Sequence, residues 1–306
     1  MEAKQKKQKP VSTIQSYYGH GGVQGWVADG YVAHEGLSTR LVGIEVEVEN
    51  HELRAHPSRT WVVTEDGSLR NNGMEWVTKP IPTNLVPAAL HNLFIESLSD
   101  DCCFSPRTSV HVHVNCLDMP VEKITNIVLL YTILEPMLYQ FAGRGRSKNI
   151  FCVPLLETNL LSGCIHKQVS DLVQTWSKYA GLNLLPLAEK GTIEFRHMHG
   201  TRDIAKLTKW VDILTRLVDF CYKSDASELR KLLQGFNEQT NVRLLLLDIF
   251  GMSLMECFQY YDYNSVRDAV VNMKQAFMKV NATHQIAREI VGEAPFFSTK
   301  IQKGIA

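Results

Sequence analysis

Three short runs of this chain alternate apolar side chains with residue types that can do chemistry. In Leu41–Glu49, the apolar Ile44, Val46 and Val48 alternate with Glu45, Glu47 and Glu49. In Ser109–Asn115, Val110, Val112 and Val114 alternate with His111, His113 and Asn115. In Gly191–His197, every second place belongs to Thr192, Glu194 and Arg196. Residues two apart in a strand point to the same side, about 6.5–7 Å from each other. A half-solvated antiparallel sheet accounts for one such polar row without any function. Three rows rich in Glu, His and Arg, where a wet face favours Thr, Lys and Ser, point to a site. Carboxylates aligned on one face repel, and a divalent cation offsets that repulsion. An oxygen-rich set with an occasional imidazole suits Mg²⁺ or Mn²⁺ better than zinc. Glu75, in a fourth short run beside Gly73 and Trp76, adds another carboxylate. The loop Gly143-Arg144-Gly145-Arg146-Ser147-Lys148 sets three cations around paired glycines, suited to phosphate or carboxylate oxygens. Alone it reads equally as a solvated surface turn. Beside an acidic sheet face it supplies the second charge sign that a metal–polyphosphate needs.

The elements that must position these residues are strands first and helices after. Leu41–Glu49, Trp61–Glu65, Met74–Thr78, Ser109–Asn115, Ala180–Leu187 and Gly191–His197 read as strands. Asp66-Gly67-Ser68 is a turn between the second and third, and a turn near Ala188-Glu189-Lys190 joins the last two. Helical periodicity interrupts them at about 83–99, 121–141 and 167–178. After Thr201 the pattern is helical. Asp203 caps a helix to about Tyr222, and further helices follow around 226–235, 238–249, 252–261 and 264–280. The expected architecture is α+β, a largely antiparallel sheet with helices packed on one side. Its divisions are a flexible basic tail over 1–16, a catalytic sheet domain over 17–215, a helical region over 216–291 and a tail over 292–306. The six glycines between 17 and 36 suggest a loop. They lack the Gly-Lys-Ser/Thr ending of a P-loop.

Composition removes several classes. The 306 residues carry 32 Lys+Arg against 32 Asp+Glu, a net charge of zero, which argues against a generic nucleic-acid coat. Neutrality hides a sorting of charge: residues 1–10 sum to +3, 41–50 to −3, and Arg144, Arg146 and Lys148 to +3. The basic tail reads as solvated, with an arm for nucleic acid or an acidic partner as the alternative. No apolar run approaches the ~18–20 residues of a membrane span, and the first ten residues lack the apolar stretch of a secretory signal. The seven cysteines form no C-x-x-C pair, so they read as reduced thiols of a cytoplasmic protein. Trp176 and Tyr179 could stack on an adenine, although packing accounts for both. A cupin-like reading of His111-x-His113 fails, because Leu117 and Asp118 stand where a glutamate ligand is needed. The dense apolar C-terminal helices suit a core or a homo-oligomer interface.

Taken in order, Gly43-Ile44-Glu45-Val46-Glu47, Asp66-Gly67-Ser68-Leu69, Gly73-Met74-Glu75, His111-Val112-His113-Val114, Leu182-Asn183-Leu184, Thr192-Ile193-Glu194-Phe195-Arg196 and Gly200-Thr201 resemble the amidoligase family. These are bacterial and phage relatives of glutamine synthetase and glutamate–cysteine ligase. The resemblance covers residues 40–215 and implies a curved, glutamine synthetase-like sheet. It also implies an ATP- and Mg²⁺- or Mn²⁺-dependent carboxylate–amine ligase, in the cytoplasm of a bacterial or phage-infected cell. ATP would phosphorylate a small-molecule, peptide or protein carboxylate, and an amine would displace the phosphate. By this resemblance Glu45, Glu47, Glu75, His111 and Glu194 hold metal. His113, Arg144 and Arg146 meet nucleotide phosphates or a substrate carboxylate, and Arg196 meets the transferring phosphoryl group. Glu49 is a candidate, by position, for deprotonating the amine. The rival readings are a phosphotransferase on a related fold and a non-catalytic structural protein, such as a virion component. His197-Met198-His199 receives no role beyond packing and capping.

Overall fold

Valine and isoleucine at alternate positions, with glutamate between them, make Leu41–Val48 (β1) a strand with one face for a core and one for a site. A computed structural model describes residues 12–20, 40–143, 145–161, 169–224, 246–251, 271 and 275 of the chain. Six further strands join β1: β2 (Trp61–Glu65), β3 (Met74–Thr78), β4 (Ile81–Pro82), β5 (Ser109–Asn115), β6 (Leu182–Asn183) and β7 (Thr192–His199). They form one open sheet in the order β2-β3-β1-β5-β7-β6, with β4 on the start of β1 and every pairing antiparallel.

Register decides which side chains meet. Residues directly opposite in a ladder point to the same face. Glu47 pairs with Glu75, Glu45 with His111, and His113 with Glu194, with Asn183 of β6 opposite Glu194 as well. The intervening Val46, Trp76, Val110, Val112, Val114, Ile193 and Phe195 are buried on the other face. Along β7 the register slips: Val112 pairs with Phe195 but Val110 with Met198. Two residues, Arg196 and His197, therefore face the single His111, which is a β-bulge.

Helices cover the apolar face. These are α1 (Ile14–Tyr18), α2 (Val86–His91), α3 (Lys123–Ala142), α4 (Val169–Gln174), α5 (Pro186–Lys190) and α6 (Ile204–Lys223). On α6, Leu207, Trp210, Leu214 and Val218 are buried in the same core as Ile127, Leu130 and Leu134 of α3. Asp203 caps α6 by accepting from the Lys206 amide at 2.9 Å. The helix runs unbroken through the 215/216 boundary drawn from sequence.

Three elements depart from the sequence reading. The helix expected over 83–99 is a 3₁₀ turn (Thr83–Leu85), then α2, then a π-helical stretch over Asn92–Ser97. The helix at 167–178 is shorter, Val169–Gln174, with 162–168 outside the described residues. The strand expected over Ala180–Leu187 pairs only at Leu182–Asn183, and the chain then turns into α5. Pro186 opens α5, where its missing N–H costs nothing, and Gly191 closes it with a left-handed φ of 66°. Residues 1–11, the C-terminal tail, most of the glycine-rich segment and most of the C-terminal helical region lie outside the described residues, as does Arg144. The flexible tail expected over 1–16 ends in structure, where Thr13 caps α1 and Ile14 is fully buried in the core. Among the described residues, no helix is long and apolar enough to cross a membrane.

Candidate metal centre

The polar face of the sheet carries its charged side chains where water is largely excluded. His111, Glu47 and Glu194 are each 3% exposed or less. His111 is the hub: its Nδ1 lies 3.1 Å from Glu45 Oε2 and 3.5 Å from Glu194 Oε1, and its Nε2 lies 3.6 Å from Glu47 Oε1. Ser109 donates both its amide and its hydroxyl to Glu47 Oε2, each at 2.7 Å. With that hydroxyl proton committed, the His111 Nε2–H donates to Ser109 Oγ at 2.8 Å. Burial and Arg196 oppose a charge on the His111 ring, but Glu47, Glu45 and Glu194 prevail and raise it above its ordinary value.

His113 reaches the same carboxylate from the other side, with Nε2 2.9 Å from Glu45 Oε1 and Nδ1 3.0 Å from Thr192 Oγ1. Burial acts to raise Glu45, yet its bonds to the two imidazoles hold it well below the usual carboxylate range. Glu194 accepts from Asn183 Nδ2 at 2.6 Å and forms an ion pair with Arg196 Nη1.

Glu75 makes no bond to an imidazole, and the charge of His111 only partly offsets its surroundings. Burial pushes its carboxyl up to about 7, and Glu45, Glu47 and Asp66 add to the rise. Its bonding partner is a neutral hydroxyl, Thr64 Oγ1 at 3.3 Å. Excess negative charge gathers at this corner. Ligand atoms lie within 4.8 Å of one another in three overlapping groups: Glu45–Glu75–His111, Glu45–His113–Glu194 and Glu47–Asp66–Glu75. Five carboxylates and two imidazoles, with repulsion only partly relieved at Glu75, are the donor set of hard divalent cations. The residues present therefore fit Mg²⁺ or Mn²⁺.

Beyond His113 the polar face opens into a cavity of about 270 Å³. Leu41, Val42, Val77, Pro80 and Leu117 form its apolar wall, and Asn115, Thr192 and Lys190 its polar side. Lys190 Nζ stands 4.0 Å from Glu45 Oε1.

No protein-family model matches the chain, and no curated protein matches it in sequence.

Of the residues nominated from sequence, Glu45, Glu47, Glu75, His111, His113, Glu194 and Arg196 converge. Two do not. Glu49 is buried with its Oε1 accepting from the Arg70 amide at 3.0 Å, and none of the three groups includes it. This carboxylate fastens the turn after β2, so its nomination as the base loses its geometric basis. Arg146 is no solvated loop cation. It is 5% exposed, and its Nε and Nη2 donate to the backbone carbonyls of His197 and Arg196. Trp176 is core, its Nε1 bonded to Leu182 O at 2.7 Å. Tyr179 packs edge-on against Phe151.

The sequence reading missed Asp66, Asn183, Ser109 and Lys190. Asp66 lies in a turn signal and in one fragment of the resemblance, without a role of its own, and the turn is there, since its Oδ1 accepts from the Ser68 amide at 2.7 Å. Asn183 belongs to the Leu182-Asn183-Leu184 fragment, to which the sequence assigns no role. His197, left as packing, is packing: it is fully buried among Tyr131, Tyr139 and Trp210. Burial lowers it to about 3, with nearby Arg146 adding to the effect, so its ring is neutral.

Proposed function

We propose that this chain is an ATP-dependent carboxylate–amine ligase on a glutamine synthetase-like sheet, acting in the cytoplasm on a carboxylate and an amine substrate. The observation that carries the reading is the convergence of Glu45, Glu47, Asp66, Glu75 and Glu194 around His111 and His113, with Arg196 at the edge. Glu45, Glu47, Asp66, Glu75, His111, His113 and Glu194 would hold Mg²⁺. When bound, the cations neutralise phosphate charge during phosphoryl transfer.

The chain's own residues set the geometry. Ser109 holds Glu47 and Asn183 holds Glu194, so both carboxylates are fixed before any ligand arrives. The cavity beside His113 offers an apolar wall for a planar base, and Lys190 at its mouth offers a cation for phosphate oxygens. Arg196 is tied to Glu194 through Nη1, and its guanidinium would meet the charge that accumulates on a transferring phosphoryl group. A substrate carboxylate oxygen attacks the γ-phosphorus and ADP leaves. The amine nitrogen then attacks the acyl carbon, phosphate leaves, and the nitrogen loses a proton to give the amide.

ADP formation from ATP and Mg²⁺, measured with a pool of carboxylates and with or without a panel of amines including hydroxylamine, tests this. The ligase predicts amine-dependent ADP and, with hydroxylamine, a hydroxamate. ADP with a phosphorylated product and no need for amine would make the protein a phosphotransferase. Absence of turnover under every condition would leave a structural protein that keeps the fold.

A further inference from the structure

The β7 bulge falls at the residue whose side chain serves the site. Val112 pairs with Phe195 and Val110 with Met198, so the ladder is interrupted opposite His111, at Arg196 and His197. Buried carbonyls at such an interruption need partners. Arg146 supplies them, with Nε 3.0 Å from His197 O and Nη2 3.2 Å from Arg196 O.

The loop that carries Arg146 is built to bring it there. Gly143 has φ 131° and ψ 151°, a conformation almost restricted to glycine, and a Cβ on it would lie 2.7 Å from His199 Nδ1. Gly145 follows with φ 85°. Arg146 O then accepts from Cys152 Sγ at 3.3 Å, and Tyr139 Oη donates to Cys152 O. The same loop touches Arg196 a second time, through Phe151 O, which lies 3.5 Å from Arg196 Nε. On the other flank the Arg196 amide donates to Gly181 O at 2.9 Å.

We infer that Arg146 is a positioning residue: its planar fork clamps the two bulge carbonyls and so holds the Arg196 guanidinium against Glu194 at the edge of the carboxylate face. The role of Arg196 in turnover rests on the ligase reading above; the clamp itself does not. A lysine in its place keeps the charge but cannot span two carbonyls with one planar group.

Arg146→Lys and Arg146→Met, alone and combined with Arg196→Lys, test the clamp. Misplacing a group by an ångström costs on the order of 100-fold in rate, so Arg146→Lys should lower kcat by about 10- to 100-fold. KM for MgATP should stay within about twofold, since ground-state binding is untouched. Adding Arg146→Lys to Arg196→Lys should cause no further loss, because both act through one guanidinium. A rise of about tenfold in KM with kcat unchanged would show direct phosphate contact and overturn the inference. Additive losses would do the same.

The Nε–H proton resonance of Arg196, assigned by its disappearance in Arg196→Lys, gives a second readout. It should shift or vanish in Arg146→Lys while far-UV circular dichroism is unchanged. An unshifted resonance would overturn the clamp. If the wild-type protein turns over no ATP, the ligase reading falls alone and this resonance decides the clamp. If Arg146→Met fails to fold, Arg146→Lys carries both readouts.

Discussion

Replacing Glu75 by Gln preserves the shape of the side chain and its bond from Thr64 while removing one charge from the crowded corner. In the folded chain this carboxyl is raised from 4.5 to about 7, first by burial and then by Glu45, Glu47 and Asp66. Each pH unit of displacement is worth about 1.4 kcal/mol, so ionising Glu75 costs the fold at most about 3.5 kcal/mol. Partial exposure and solvent screening bring the expected figure to about 1.5–2 kcal/mol. The sign follows from proton counts. Below about 4.5 Glu75 is protonated in both states and contributes nothing. Between 4.5 and about 7 the unfolded chain has lost the proton while the folded chain keeps it, so stability falls as pH rises. Above about 7 the full penalty is present and constant. Urea denaturation followed by tryptophan fluorescence, in EDTA at pH 4.5 and pH 8, should show Glu75→Gln near wild type at the lower pH. At the higher pH it should be about 1.5–2 kcal/mol more stable. Saturating Mg²⁺ should reverse the order, because wild type gains a full ligand set and the variant lacks one donor. A difference that does not change with pH, or equal stabilisation of both proteins by Mg²⁺, would refute the charge-crowding argument.

Two further outcomes follow from the geometry. Asn183→Ala removes the 2.6 Å bond that fixes Glu194, and loss of such an orienting partner lowers metal affinity about 10- to 100-fold. Mn²⁺ titration by electron paramagnetic resonance should show this, alongside a lower melting temperature, since the buried Asn183 side chain also accepts from the Leu185 amide. Gly143→Ala forces a Cβ to within 2.7 Å of His199 Nδ1 at a backbone conformation that alanine avoids. It should cost about 1–3 kcal/mol, measurable by thermal unfolding, and an unaltered stability would mean that the loop has another conformation.

The face of the site was legible because strand periodicity is local. Once Glu45, His111 and Glu194 fall on the polar side of three neighbouring antiparallel strands, the register brings them within bonding distance. What escaped depends on partners far along the chain. Asp66 shows a turn signal in sequence, and its carboxylate acquires a place in the site only when β3 folds back beside β1. The bulge at Arg196 leaves only a faint trace in β7 itself, where the apolar parity of Ile193 and Phe195 slips to Met198, and the pairing with β5 gives that slip its meaning. Arg146 sits in a run of glycines and cations that reads as a wet turn, yet the backbone around Gly143 and Gly145 turns it inward. Pro186 and Gly191 mark the ends of a short helix, but the apolar run Leu182, Leu184, Leu185 and Leu187 favours a strand to Leu187 with a turn over 188–190.

The products of turnover distinguish an acyl-phosphate ligase from every rival. Wild-type protein incubated with ATP, Mg²⁺ and a mixed pool of ¹⁸O-labelled carboxylates and amines, followed by mass spectrometry, should yield an amide. One ADP should form per amide, and one ¹⁸O should appear in the released phosphate. Glu45→Gln combined with Glu47→Gln should yield neither. Phosphate free of ¹⁸O, or turnover that survives the double substitution, would contradict the assignment of this face as the site of an acyl-phosphate ligase.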